Sequence, residues 1–178
     1  MTGIQRKDDD EGARFDLMAA PGHLLRRNHQ RSYEIFNRLV GPDITRQQIA
    51  LLIALSRAPG ASQNELVHLT GFDKSTLKEM LGRLVAKGWV DRERDPDDFR
   101  AWKMHITSVG KDVLEQRIAN VRAVQQEIIA PLPADLRPVF LRCLRILIGL
   151  ESPNAEPESE HVGVLPENEL ADQSNSSF

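Results

Sequence analysis

The sequence predicts a mainly α-helical fold with one small β-hairpin, a compact unit flanked by long helices. Three observations carry this expectation. Apolar residues recur at helical spacing through most of 16–150. One strictly alternating stretch stands at 102–107, where Trp102, Met104 and Ile106 interleave with Lys103, His105 and Thr107. Glycines, prolines and capping residues punctuate the chain between these segments. Hydrophobic residues make up 40% of the 178, enough for a core, while aromatics are only 5%, so the packing is aliphatic.

Residues 1–15 are polar and charged and read as a flexible N-terminal arm. A long helix is expected over 16–40, interrupted or entered at Pro21-Gly22, with Leu17, Leu24, Leu25, Ile35, Phe36 and Leu39 on its apolar side. Gly41-Pro42 stops it. Thr45 and Gln48 have the capping-box spacing and open a helix over 47–57, whose Ile49, Leu52, Ile53 and Leu55 face inward; Pro59-Gly60 closes it. A second capping box, Ser62 with Glu65, opens a short helix ending near Thr70, and Gly71 marks a turn. Asp73 is the N-cap of the next helix. There Leu77, Met80, Leu81, Leu84 and Val85 form a continuous stripe, and Gly88 falls just past the end. Two short helices joined by a glycine-containing turn predict helix-turn-helix.

Residues 89–94 read as a strand and 95–100 as a loop, because Pro96 and clustered Asp residues favour turns. With the alternating strand this makes a two-stranded wing, with Arg92, Arg94, Arg100 and Lys103 about its tip. Thr107 caps a helix running to about 129, with Leu114, Ile118, Val121 and Ile128 along one side. Pro131 and Pro133 break it. Leu136, Val139, Phe140, Cys143, Leu144 and Leu147 then form a last stripe up to Leu150. The stretch 151–178 is rich in Glu, Pro, Ser and Asn and reads as a disordered acidic tail. One domain over 16–150 is therefore expected, a winged helix-turn-helix at 44–107 with helices 16–40 and 108–150 outside it. The apolar faces of those outer helices exceed what a small winged helix can cover, which predicts a homodimer.

The net charge of −3 conceals a division. The first sixteen residues hold five acids and three bases, and the stretch from Glu151 holds seven acids and no Lys or Arg. That leaves 20 bases and 14 acids, a net +6, between 17 and 150. A basic body with acidic ends suits double-stranded DNA. Lys74, Ser75, Thr76, Lys78, Glu79 and Arg83 line the exposed face and start of the second short helix, which suits a major groove, with Arg83 on the backbone. Arg92, Arg94 and Arg100 would follow from the wing, Arg100 reaching the minor groove. A winged helix that serves only as a protein-interaction subunit is the alternative from another class.

The run Arg92-Glu-Arg-Asp-Pro-Asp-Asp-Phe-Arg-Ala101, followed by Ile106-Thr-Ser-Val-Gly110, resembles the wing of the MarR family and its exit into a long helix. Phe99 departs from that pattern, where many members carry a second arginine, and Ile106 stands for a leucine. The resemblance covers about 21–150. It implies an obligate homodimer of winged-helix subunits that represses transcription from a near-palindromic operator until a small molecule binds.

Other chemistries find little here. One cysteine makes no internal disulfide, and no signal peptide or long apolar run is present, so a cytoplasmic protein without membrane contact is expected. Asp97 and Asp98 are adjacent and suit a turn rather than an acid/base pair. There is no phosphate-cradling glycine loop and no nucleophile elbow, so neither enzyme activity nor a cofactor is expected. His23, His29, His68, His105 and His161 have no cysteine partner, and no metal site is read from them. Cys143 would make a redox-sensing repressor the second alternative, but its place in an aliphatic stripe predicts a buried, inert thiol.

In the first helix Arg26, His29 and Tyr33 lie at i, i+3 and i+7 and share a face. A guanidinium there can fork onto a carboxylate while His and Tyr fix a ring; a solvated face or intersubunit ion pairs are the plainer alternative. The run His23-Leu-Leu-Arg-Arg27 followed by Gln30 is similar to a MarR branch answering to aromatic acids. The segments around Arg31-Ser-Tyr33 and Ile44-Thr-Arg-Gln-Gln48 are similar to members that sense hydroxylated nicotinates. That likeness implies an aromatic or heteroaromatic carboxylate of a catabolic pathway as effector, its carboxylate on Arg26, with Arg46 approaching from the next helix. Ser32 stands where some relatives have His.

Overall fold

A computed structural model of the chain describes residues 15–96 and 101–155. The wing residues Asp97, Asp98, Phe99 and Arg100, the arm before Phe15 and the tail after Ala155 lie outside the described residues. The elements in order are α1 (Pro21–Val40), α2 (Arg46–Arg57), β1 (Ala61–Ser62), α3 (Gln63–Thr70), α4 (Lys74–Ala86), β2 (Val90–Arg94), β3 (Trp102–Ile106), α5 (Ser108–Ile129) and α6 (Leu136–Leu147). The chain divides into two compact units, residues 1–124 and 125–178, and α5 runs across the boundary.

The first helix begins at Pro21, not at residue 16. A separate 3-10 turn, Leu17–Ala19, precedes it, with the Asp16 carboxylate accepting from the Met18 backbone N–H at 2.8 Å. Ala20 is extended, as a residue before proline prefers, and Pro21 takes the first helical position, where its missing N–H costs nothing. Both capping boxes form. Thr45 and Gln48 satisfy each other's backbone at the start of α2, and Ser62 and Glu65 do so at α3. The Ser62 backbone N–H donates to the Glu65 carboxylate at 2.7 Å, and this bond holds that carboxyl below its usual range. Gly71 (φ 70°) ends α3 in the left-handed conformation that glycine adopts without strain.

The hairpin expected from sequence is the outer part of a three-stranded antiparallel sheet of order β1-β3-β2. No local signal marks β1. Only two residues long, it is a strand through pairing alone, Ala61 opposite Met104 and Ser62 opposite Lys103. Across the wing, Val90 pairs with Ile106, Arg92 with Met104 and Arg94 with Trp102.

The core of the first unit is aliphatic. Leu51, Leu52 and Leu55 of α2, Leu66 of α3, Leu77 and Leu84 of α4 and Ile44 are fully buried, with Met104 and Ile106 beneath the sheet. Ile35 and Phe36 of α1 and Val121 and Val124 of α5 complete it. At the wing root the Thr107 hydroxyl donates to the Gly88 carbonyl at 2.7 Å and accepts from the Gly110 N–H at 3.0 Å. The Thr107 N–H donates to the Trp89 carbonyl at 3.0 Å. One threonine thus ties the end of α4, the wing and the start of α5 together.

Two stripes expected to be buried are open within the single chain. Leu24 and Leu25 of α1 are 43% and 48% exposed, and α6 contains no buried residue, with Leu147 at 72%. Cys143 is exposed on α6, so burial does not make its thiol inert in the isolated chain, contrary to the sequence expectation. The stripe is amphipathic as expected, but nothing in its own unit covers it. In that second unit Arg142 and Arg145 donate to Glu151 at 2.9 and 2.8 Å, and the Arg145 bond foremost holds the Glu151 carboxyl below its usual range. Among the described residues no helix is long and apolar enough to cross a membrane.

Candidate nucleic-acid interface and effector cluster

The start of α4 is built around Asp73. Its carboxylate accepts from the Thr76 backbone N–H (2.9 Å), the Thr76 hydroxyl (2.6 Å) and the Ser75 hydroxyl (2.5 Å). These bonds, the one from Ser75 first, push the Asp73 carboxyl far below its usual range. Ser75 and Thr76 are exposed at the head of the helix, but their hydroxyl protons are spent on the cap, so their outward lone pairs only accept. Lys74 and Lys78 are exposed beside them. Glu79 and Arg83, one turn apart, form an exposed ion pair at 2.5 Å, so Arg83 reaches a phosphate only by leaving Glu79 or carrying it along.

Asp73 supports a test by pH. A carboxyl whose folded pKa is depressed contributes stability above its unfolded pKa, about 3.9, and loses it as pH falls through the folded value. Asp73→Ala should therefore melt below the parent at pH 7, and the gap should close as pH falls from about 4 toward 2. A gap of constant size in urea melts across that range would show that the carboxylate does not carry the cap.

Strand alternation sorts the charges of β2. Asp91 and Glu93 point to one face, and Arg92 and Arg94 to the other. On the acidic face Glu93 meets His105 at 3.0 Å across the ladder. On the basic face both guanidiniums lie over the Trp102 ring, Arg94 at 4.1 Å and Arg92 at 4.7 Å from its centre. Trp102 is half-buried, less covered than its neighbours Met104 and Ile106 on that face. By alternation alone Trp102 is one more apolar residue of the strand. Its signal was the Arg-Glu-Arg run opposite a tryptophan.

A second cluster forms where α1 meets the start of α2. The Arg46 guanidinium donates to the Ser32 hydroxyl oxygen at 2.7 Å and meets His29 Nε2 at 2.9 Å. Its carbon lies 5.3 Å from the centre of the Tyr33 ring. A guanidinium only donates, so His29 Nε2 is the unprotonated acceptor and the ring proton sits on Nδ1. Ser32 donates its own proton to the His29 carbonyl at 3.0 Å. The structure thus brings His29, Tyr33 and Arg46 together and adds Ser32. Arg26 is exposed and makes no hydrogen bond or ion pair with the described residues. Both forks of Arg46 end on neutral acceptors, the two bonds a carboxylate would take. Among the described residues there is no cluster of His, Cys, Asp or Glu fit to hold a metal ion.

A capped helix beside a three-stranded antiparallel sheet defines a winged helix-turn-helix. The profile of the MarR family matches residues 43–101. The chain is 32% identical over 135 residues, 75% of its length and 85% of the relative's, to the HTH-type transcriptional repressor NicR of Pseudomonas putida. It belongs to the MarR family. Its fold matches the PcaV transcriptional regulator of Streptomyces coelicolor, solved in complex with its natural ligand, with a TM-score of 0.73 and 35% identity over 76% of this chain and 96% of that one. It also matches BpsR of Bordetella bronchiseptica, whose DNA binding is regulated by 6-hydroxynicotinic acid, with a TM-score of 0.73 and 25% identity over 80% and 99% of the two chains.

Proposed function

We propose that this chain is a homodimeric repressor that leaves its operator when an aromatic or heteroaromatic carboxylate binds where α1 meets α2. The observation that carries the effector class is the Arg46 guanidinium, its fork turned onto two neutral acceptors beside a tyrosine ring. A carboxylate replaces Ser32 and His29 with two charge-assisted bonds, and Tyr33 flanks the ring that carries it. Arg26, exposed two turns before Tyr33 on α1, is the second cation for the same anion. BpsR, whose DNA binding is regulated by 6-hydroxynicotinic acid, supports this class of ligand.

The uncovered stripes of α1 and α6 are the surface a second copy would bury, placing two α4 helices at major grooves about 34–36 Å apart. Lys74, Ser75, Thr76, Lys78, Glu79 and Arg83 then meet base edges and phosphates, and Arg92, Arg94 and Arg100 the flanking backbone and minor groove. The effector derepresses only by binding the DNA-incompetent arrangement more tightly. A hundredfold loss of operator affinity needs about 2.7 kcal/mol of that difference, within the range of ordinary coupling.

A gel shift of duplex DNA from upstream of the chain's own gene tests this. Binding should weaken steeply with salt, and Lys74→Ala should lower the slope of log affinity against log salt by about one. A chain that retards no duplex at low salt would instead be a protein-interaction subunit.

A further inference from the structure

Resting on the homodimer reading above, we propose that Arg122 of α5 is half of an ion pair that only a second copy of the chain completes, with Glu115 of the partner subunit as the other half. The Nε–H of Arg122 is closed off from solvent and meets no acceptor, and its guanidinium makes no hydrogen bond or ion pair among the described residues. Arg117, little more than a turn earlier on the same helix, is different. It donates to the Val113 carbonyl at 3.3 Å and lies 3.7 Å from the Asp43 carboxylate. A buried donor without an acceptor is rare in a finished protein, and one that carries charge costs more than a neutral one. A carboxylate suits this donor best, because it takes Nε and one terminal nitrogen side by side and balances the charge.

The spacing on α5 selects the carboxylate. Glu115 precedes Arg122 by seven residues, within about 20° of two full turns, so the two share one side of the helix. Val124 points into the core from the other side. Seven residues also set them about 10 Å apart along the axis, too far to pair within one chain. Glu115 is exposed and makes no hydrogen bond or ion pair among the described residues. Between the two stand Ile118, apolar and half-buried, and Ala119, exposed and small enough to let a second helix approach. An acid and a base placed evenly about such a centre are self-complementary under a two-fold axis. When two α5 helices cross antiparallel at Ile118 and Ala119, each Arg122 meets Glu115 of the partner subunit, and the pair forms twice. A parallel crossing would bring like charges together, so the same residues also fix the direction of approach.

Because the pair forms twice, a single substitution is felt twice in the dimer. Fluorescence-detected sedimentation of the labelled full chain, from nanomolar to micromolar concentration at neutral pH, measures the dimer dissociation constant, and melting curves alongside report whether each variant is folded. Arg122→Met removes the unmatched donor but keeps most of the side chain's bulk, so the subunit should fold as well as the parent. The dissociation constant should nevertheless rise about tenfold to a hundredfold. Arg122→Glu and Glu115→Arg should each weaken the dimer at least as much. The two together should return it to within about tenfold of the parent, since the exchange rebuilds the pair in reverse. Damage to the fold at the two sites would add instead of cancelling. An Arg122→Met dimer as tight as the parent, or a double reversal no tighter than the single ones, would remove the pair and leave the dimer reading in place. A parent chain that stays monomeric through the micromolar range would remove both.

Discussion

Gly110→Ala is expected to lower the melting midpoint by roughly 6–12 °C. A Cβ at Gly110 would stand inside van der Waals contact with the Trp89 carbonyl oxygen and 2.9 Å from Ile106 Cγ1. Neither neighbour has room to yield. The Trp89 carbonyl is held by the Thr107 N–H, and Ile106 is buried in β3. Forcing a methyl group into such a contact costs about 3 kcal/mol, the upper end of overpacking, because backbone rather than a side-chain tip must move. Gly82, in the middle of α4, makes an internal control. A Cβ there meets nothing within 4 Å, so Gly82→Ala should raise stability by about 0.5–1 kcal/mol through helix propensity. Circular-dichroism melts of the two variants should move in opposite directions. Equal midpoints for Gly110→Ala and the parent would mean that α5 does not pack on the Trp89 carbonyl.

Arg46→Met should weaken binding of the carboxylate effector by about tenfold to a hundredfold while changing operator affinity without effector by no more than about twofold. Hydrogen bonds to a charged group are worth about 1.5–3 kcal/mol, and this substitution removes two of them from the proposed anion. Ser32 and His29 lose a donor but lie near enough to solvent to find water instead. Arg46→Lys should recover only part of the affinity, since a point charge lacks the fork. Calorimetry with benzoate, hydroxybenzoate and hydroxynicotinate on these variants and on Arg26→Ala separates the two guanidiniums. Unchanged affinity for every acid in both Arg26→Ala and Arg46→Met would move the effector site away from this cluster.

What the sequence disclosed follows from how local each signal is. Capping boxes at Thr45 and Ser62 and the left-handed glycine at 71 are settled within four residues of chain, so their elements were readable. So was the period-two pattern of β3. β1 was not, because Ala61 and Ser62 become a strand only when Met104 and Lys103 arrive more than forty positions later. The expected dimer stripes were read correctly as amphipathic, yet burial depends on what covers them, and Leu147 and Cys143 show that their own chain does not. In the cluster around Arg46 the spacing of His29 and Tyr33 was visible. The role of Ser32 was not, since it follows from where α2 delivers Arg46. At α4 the exposed polar residue types were legible, but which atoms remain available at Ser75 and Thr76 is decided by Asp73.

β2 stores its polarity as phase. Arginines occupy even positions, in phase with the buried Val90, and acids odd ones. A single inserted residue between Val90 and Arg92 would leave composition, net charge and helix content intact, yet turn the arginines outward and bring the carboxylates round to Trp102. The wing would then turn carboxylates toward the DNA proposed above as its partner. Drift in sequence there is tolerable in steps of two residues and ruinous in steps of one.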